Sequence, residues 1–170
     1  MDDVRQQFGA IYDQYIEKIY RFVYLKVNSQ EAAEDITSKV FLRAFEAYSR
    51  AKGKIDNINA FLYKIAGNAV IDHYRATGRS KTVSSEIVPE IADLDSDIQA
   101  KAILNADVKI VKIAIQKLQK EHQDIIIWHY LEDMEIKDIA ELLDKPEGTV
   151  RVMLHRALKN LKNIIEESQV

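Results

Sequence analysis

No cysteine occurs among the 170 residues, which excludes disulfides and thiolate metal sites and fits a reducing compartment. Only two prolines and five glycines punctuate the chain, and runs of alternating β-branched residues are few, so the material for hairpins is scarce and the expected fold is all-α. No apolar run approaches the length of a membrane span, and the opening MDDVRQQ lacks the basic and apolar segments of a signal peptide. The expectation is a cytoplasmic protein with no membrane insertion. Internal repeats are also missing. What is present is 47% hydrophobic and 30% charged, the composition of a globular protein long enough for one large or two small domains. The net charge of −3 argues mildly against indiscriminate binding to nucleic acid, but it averages over local patches.

Those patches are pronounced. Residues 50–81 hold seven Lys and Arg against two acids, whereas residues 82–107 hold six acids against the single Lys101. The acidic stretch contains TVSSEIVPEIADLDSD, with Pro89, three serines and little periodicity, and reads as an exposed connector. The expected organisation is therefore two small helical domains, 1–81 and 108–170, joined by an acidic linker at 82–107.

The rest of the chain is organised around Ile136 to Leu161, IKDIAELLDKPEGTVRVMLHRALKNL. Ile136, Ile139, Ala140 and Leu143 recur at helical spacing, Pro146 interrupts, and Val150, Leu154, Ala157, Leu158 and Leu161 begin a second apolar stripe. The pattern predicts a helix-turn-helix, with Ala140 small enough for two crossing helices and Val150 filling the angle between them. The outer face of the second helix carries Arg151, His155, Arg156, Lys159 and Lys162, with no acid between Glu147 and Glu166. A bare cationic face on a helix held out by an angled partner suits a DNA major groove. A helical hairpin whose charged face is merely solvated also fits the pattern.

In the first domain, Phe8, Ile11, Tyr12, Tyr15, Ile16, Ile19, Tyr20, Phe22 and Val23 form a core-facing stripe. Asn28, with Glu31 three positions on, is the expected cap of a second helix. That helix should bury Ala33, Ile36, Val40, Phe41, Ala44 and Tyr48 and expose Glu34, Asp35, Lys39, Arg43 and Glu46. A third segment from about Asn59 to Ala76 should bury Phe61, Leu62, Ile65, Ala69, Val70 and Ile71, with a bend or break at Gly67 and Asn68, since a helix-interior Gly costs about 1 kcal/mol relative to Ala. Tyr74 stands among Arg75, Arg79 and Lys81, an aromatic ring beside cations, as single-stranded nucleic acid binding uses. A solvated basic helix end is the equally weighted alternative.

Three of these stretches resemble one family in its own order. AEDITSKVFLRAFEAY resembles the polymerase-clamp-binding helix of bacterial sigma factors of the extracytoplasmic-function group. FLYKIAGNAVIDHYR resembles their minus-ten promoter segment, and IAELLDKPEGTVRVMLHRAL their minus-thirty-five segment. The resemblance implies a protein that binds core RNA polymerase through Glu34, Asp35, Ile36, Thr37, Phe41 and Arg43. It implies minus-ten DNA binding by Asn68, Ala69, Asp72, Tyr74, Arg75 and Arg79, the first three at a pocket for a flipped base. It implies minus-thirty-five binding by Thr149, Arg151, Val152, His155, Arg156 and Lys159. Partners are core polymerase and promoter DNA, an anti-sigma factor is a further partner the resemblance allows, and no cofactor or metal is implied.

The chain departs from the family's pattern at several points. Ser38 and Lys39 replace a frequent Gln-Glu, Phe61 stands where Trp is usual, Gly67 where a larger residue is common, and Asp144 at the turn glycine, where Asp tolerates the left-handed conformation. Val152 and Met153 occupy recognition-helix positions that are often polar or basic. Two other classes compete. One is a stand-alone helix-turn-helix regulator that never engages polymerase. The other is an enzyme, but Asp72–His73 and Glu121–His122 are adjacent pairs that point about 100° apart on a helix and cannot converge. His122 and His129, seven apart beside Trp128 and an Ile run, fit packing better than metal binding. No enzyme is expected.

Overall fold

A computed structural model describes residues 2–78 and 98–168, with side chains of the second stretch from 107 onward. The chain divides into two compact units, Met1–Glu90 and Ile91–Val170. Among the described residues the regular structure is helical throughout.

The first unit packs three helices on one another: α1 (Asp2–Tyr24), α2 (Gln30–Arg50) and α3 (Ile58–Ala76). Its centre is Ile19, Phe22, Val23, Val27, Ala33, Val40, Ala44, Leu62 and Ala66, all essentially solvent-free. Every residue expected inside α2 is buried, and Thr37 joins them, its hydroxyl donating to the Ala33 carbonyl at 2.6 Å. The α2 cap is Ser29 rather than Asn28. Ser29 has the extended backbone a cap requires (φ −141°, ψ 149°), and its hydroxyl accepts from the Ala32 amide at 3.0 Å, which puts Glu31 one position short of a capping box. In α1, Tyr12 is exposed, its ring edge-on to Phe41 at 5.0 Å between centroids.

Helix α3 starts at Ile58, capped by the Asn57 side chain, which accepts from the Ala60 amide at 3.0 Å. It runs unbroken through Gly67, against the expected bend. Tertiary burial outweighs the local cost: Tyr63, Ala66 and Gly67 lie on the buried face, while Phe61, Ile65 and Ile71 sit at its half-buried margin.

The turn after α2 depends on a glycine. Gly53 has φ +76° and donates its amide to the Tyr48 carbonyl at 2.9 Å. A Cβ there would lie 3.0 Å from Gln7 Oε1, the atom that accepts the Tyr48 hydroxyl proton at 3.1 Å. Gly53→Ala should destabilise this unit by about 1–2 kcal/mol through left-handed strain, with that hydrogen bond disturbed as well. Gly9, at an exposed position of α1 with open space around it, supplies the opposite sign, since Gly9→Ala should stabilise by about 0.5–1 kcal/mol. Denaturant unfolding followed by far-UV circular dichroism reads both. Equal effects from the two substitutions would contradict this account of the turn.

The second unit comprises α4 (Ile98–Lys117), α5 (Lys120–Ile126), a π-helical turn (Ile127–Leu131), α6 (Ile136–Leu143) and α7 (Glu147–Ser168), with α7 packed on α4, α5 and α6. Helical backbone thus runs through 98–107, positions the charge pattern assigns to the connector. The stretch IQAKAILNAD carries three Ala together with Gln, Lys and Leu, all good helix formers, and helix propensity there does not depend on net charge. Pro89 and the serines of the connector lie outside the described residues.

Polar side chains enter this core. Lys112 and Gln116 on α4 and Asp124 on α5 are all buried, Lys112 completely. Burial lowers the Lys112 ammonium from 10.5 to about 8. Between these values the unfolded chain binds the proton that the folded chain releases, so stability rises with pH from about 8 to 10.5 and sits on its lower plateau at neutral pH. The gain by pH 9.5 should be about 2 kcal/mol relative to pH 7 and should vanish in Lys112→Met. The only tryptophan, Trp128, is buried in this unit, and its fluorescence isolates the unit's unfolding. An identical pH dependence in the variant would overturn the assignment.

Candidate nucleic-acid and protein interfaces

Helix α6 ends as Asp144 takes the left-handed conformation (φ 52°, ψ 48°), the backbone tolerance expected of Asp at this turn. The Lys145 amide closes the motif on the Ala140 carbonyl at 3.0 Å, and Pro146 offers its carbonyl to the Val150 amide at 3.1 Å to open α7. Ile139, Ala140, Val150, Leu154 and Ala157 are buried in the resulting helix-turn-helix. Leu158, expected in the stripe, is exposed, because the inward register runs through Ala157 and the next residue turns away.

All six α7 residues that the resemblance implies for DNA binding are exposed: Thr149, Arg151, Val152, His155, Arg156 and Lys159. At about 100° per residue they sweep the side of the helix opposite Val150, Leu154 and Ala157. Arg151 is engaged with Glu147 at 3.4 Å. His155, Arg156 and Lys159 meet no acid among the described residues, so the cationic face is open from its second turn onward. Of the two unusual apolar residues here, Val152 is 49% exposed and Met153 is half-buried.

On α3 the expected residues separate. Asn68, Asp72 and Arg75 are exposed at spacings of four and three and share one face. Lys64, four residues before Asn68 and also exposed, extends that strip; the same spacing in the sequence points to it, although the basic run further on draws the eye first. Ala69 is buried and so is not part of the exposed strip. Tyr74 is half-buried, and its hydroxyl donates to the Lys26 carbonyl, which ties the ring to the loop after α1. Arg79 lies outside the described residues.

On α2, Glu34, Asp35 and Arg43 are exposed, while Ile36, Thr37 and Phe41 are buried. The latter three set the helix against α1 and α3 and present no surface. Asp35 pairs with Lys39 at 2.9 Å, and Arg43 reaches across to Asp72 of α3 at 3.7 Å, joining the outer faces of the two helices. An open groove lined by Ser29, Glu31, Ala32, Glu34, Asp35 and Ser38 lies at the start of α2. Leu42 shares the outer face and is 60% exposed, a large apolar side chain that an inward-looking search for the core passes over.

The histidines weighed for catalysis are used locally. The Asn160 amide nitrogen lies 3.2 Å from His122 Nδ1, joining α5 to α7, and His129 Nδ1 donates to the Met134 carbonyl at 3.0 Å, closing the π-helical turn. No group of three His, Asp or Glu that could hold a metal occurs among the described residues. The arrangement offers binding faces: an acidic and apolar one on α2, a polar strip on α3 and a cationic one on α7.

Comparison with known proteins matches these units in order. A family model described as Sigma-70 region 2 covers residues 11–80, and one described as Sigma-70, region 4 covers residues 111–161. The chain is 27% identical over 163 residues to the ECF RNA polymerase sigma factor BldN of Streptomyces coelicolor, spanning 94% of this chain and 61% of that protein. It is 27% identical to SigW of Bacillus subtilis, over 94% of this chain and 89% of that one. It is 30% identical to SigD of Mycobacterium tuberculosis, over 79% and 63%. The chain thus spans under two thirds of the length of BldN and SigD. Among solved structures, the sigma factor RpoE of Bartonella quintana, crystallised with the anti-sigma factor NepR, shares the fold with a TM-score of 0.69 at 18% identity, covering 95% of this chain and 98% of that one.

Proposed function

The chain belongs to the extracytoplasmic-function sigma factors of the sigma-70 family, and from that premise we propose that it binds core RNA polymerase and directs promoter-specific transcription initiation. The observation that carries this reading is the pairing of region 2 and region 4 on one chain, at 11–80 and 111–161, with exposed polar or cationic faces on both. The binding units are assigned to 1–81 and 108–170, with 82–107, whose last ten residues begin α4, lying between them. Glu34, Asp35 and Arg43, with Leu42 between them in sequence, form the polymerase-facing surface of α2. Ile36, Thr37 and Phe41 support it from inside.

Asn68, Asp72 and Arg75 face the minus-ten element. Short polar side chains on a helix offer donors and acceptors with room for an extruded base, and Arg75 and Arg79 hold the adjoining backbone. Ala69 and Tyr74 position that strip. The α7 face enters the minus-thirty-five major groove through Thr149, Arg151, Val152, His155, Arg156 and Lys159. The work is recruitment and strand opening, and no side chain here acts on a substrate. No helix among the described residues is long and apolar enough to cross a membrane. We place the protein in the cytoplasm, where core polymerase meets promoter DNA; an anti-sigma factor is a further partner that family membership allows.

The test is reconstitution. Purified full chain mixed with core polymerase should co-elute with it and confer transcription initiation on genomic promoter fragments that core polymerase alone does not start. DNA binding without polymerase binding would replace this reading by a stand-alone helix-turn-helix regulator.

A further inference from the structure

We propose that Val152 is a specificity-determining residue that reads the C5-methyl group of a thymine in the minus-thirty-five element, an inference that rests on the assignment of α7 to the major groove. Val152 lies 49% exposed within the face formed by Arg151, His155, Arg156 and Lys159. It points roughly opposite the buried stripe of Val150, Leu154 and Ala157. Met153, one position on, is half-buried and turned toward the core side, so Val152 is the apolar group this stretch presents. A β-branched residue is a poorer helix former than the Lys, Arg or Ala that would serve a solvated surface, so helix stability does not explain it.

An isopropyl group neither donates nor accepts a hydrogen bond. In the major groove its one matching feature is the thymine methyl. Against cytosine, guanine or adenine it would dehydrate amino or keto groups without replacing their partners, so the same side chain attracts thymine and excludes the other bases. Arg156 lies four residues on along the same strip, a rise of about 6 Å, against about 3.4 Å per base step. The thymine therefore falls within about two base steps of the Arg156 contact.

The experiment uses the full chain with core polymerase and a minus-thirty-five duplex selected from a randomised library. Each thymine of the duplex is replaced in turn by deoxyuracil, which removes only the C5-methyl. One such replacement should weaken binding about fourfold, the equivalent of one buried methyl, and should have no effect on Val152→Ala. The variant should also bind thymine and cytosine at that position with more nearly equal affinity. Loss of the exposed methyls leaves the helix intact, because Ala is the better helix former. If no thymine responds, or if wild type and variant respond alike, the inference is overturned. Arg156→Ala on the same duplex separates the levels: weakened binding there with no thymine effect overturns the Val152 reading alone, and unweakened binding removes α7 from DNA and both readings fall together.

Discussion

Arg156→Ala should abolish most transcription from a promoter with a minus-thirty-five element and leave affinity for core polymerase unchanged. Arg156 is exposed on the open part of the α7 cationic face and meets no acid among the described residues, so its guanidinium can go to DNA without first breaking an internal ion pair. A bidentate contact to a base is worth about 1–3 kcal/mol, roughly 5- to 150-fold, expressed as lost discrimination at one position. A contact to phosphate instead weakens binding to all sequences and lowers the salt slope by about one unit. Arg151→Ala should cost less, because Arg151 lies 3.4 Å from the Glu147 carboxylate and must release it to reach DNA. Transcription assays paired with polymerase titration on both variants measure this. Joint loss of transcription and polymerase affinity would mean that α7 serves polymerase or that the unit has unfolded, and circular dichroism distinguishes those two.

Asp35→Lys should weaken binding to core polymerase by about tenfold or more while the free protein stays folded. The carboxylate stands on the outer face of α2 with 62% of its side chain exposed, and its link to Lys39 is a surface pair at 2.9 Å. Such an i,i+4 pair contributes about 0.3–0.5 kcal/mol, so the folded unit loses little. A partner surface that accepts an acid pays far more for a lysine in its place. Lys39 already competes for Asp35 within the free helix, and Lys39→Ala should therefore shift polymerase affinity slightly in the other direction. Titration of labelled core polymerase reads both variants, and unchanged affinity in Asp35→Lys would remove α2 from the polymerase contact.

Much of this architecture was legible beforehand. Helical periodicity separated Ala33, Ile36, Val40, Phe41, Ala44 and Tyr48 from Glu34, Asp35, Arg43 and Glu46 on α2, since a helix with one buried face must repeat every three to four residues. The turn at Asp144 and the interruption at Pro146 followed from backbone chemistry in the same way. The α2 cap is Ser29, one residue past the expected Asn28, because both offer a capping oxygen and only the path of the chain selects between them.

The sequence by itself therefore determined α1 to α3, most of their inward faces, the helix-turn-helix and the cationic face of α7, all properties set by local spacing and charge. Tertiary structure alone decided which members of a motif reach the surface. Thr37 turned inward to its own helix, Tyr74 was tied to Lys26, Ala69 was buried, and Val152 rather than Met153 came to face outward. It also brought Arg43 of α2 to Asp72 of α3, 3.7 Å apart though far separated along the chain. The physical reason is that helical phase ranks positions only relative to one another. How far each side chain is covered depends on where the neighbouring helices lie, and that is set by packing between residues distant in sequence.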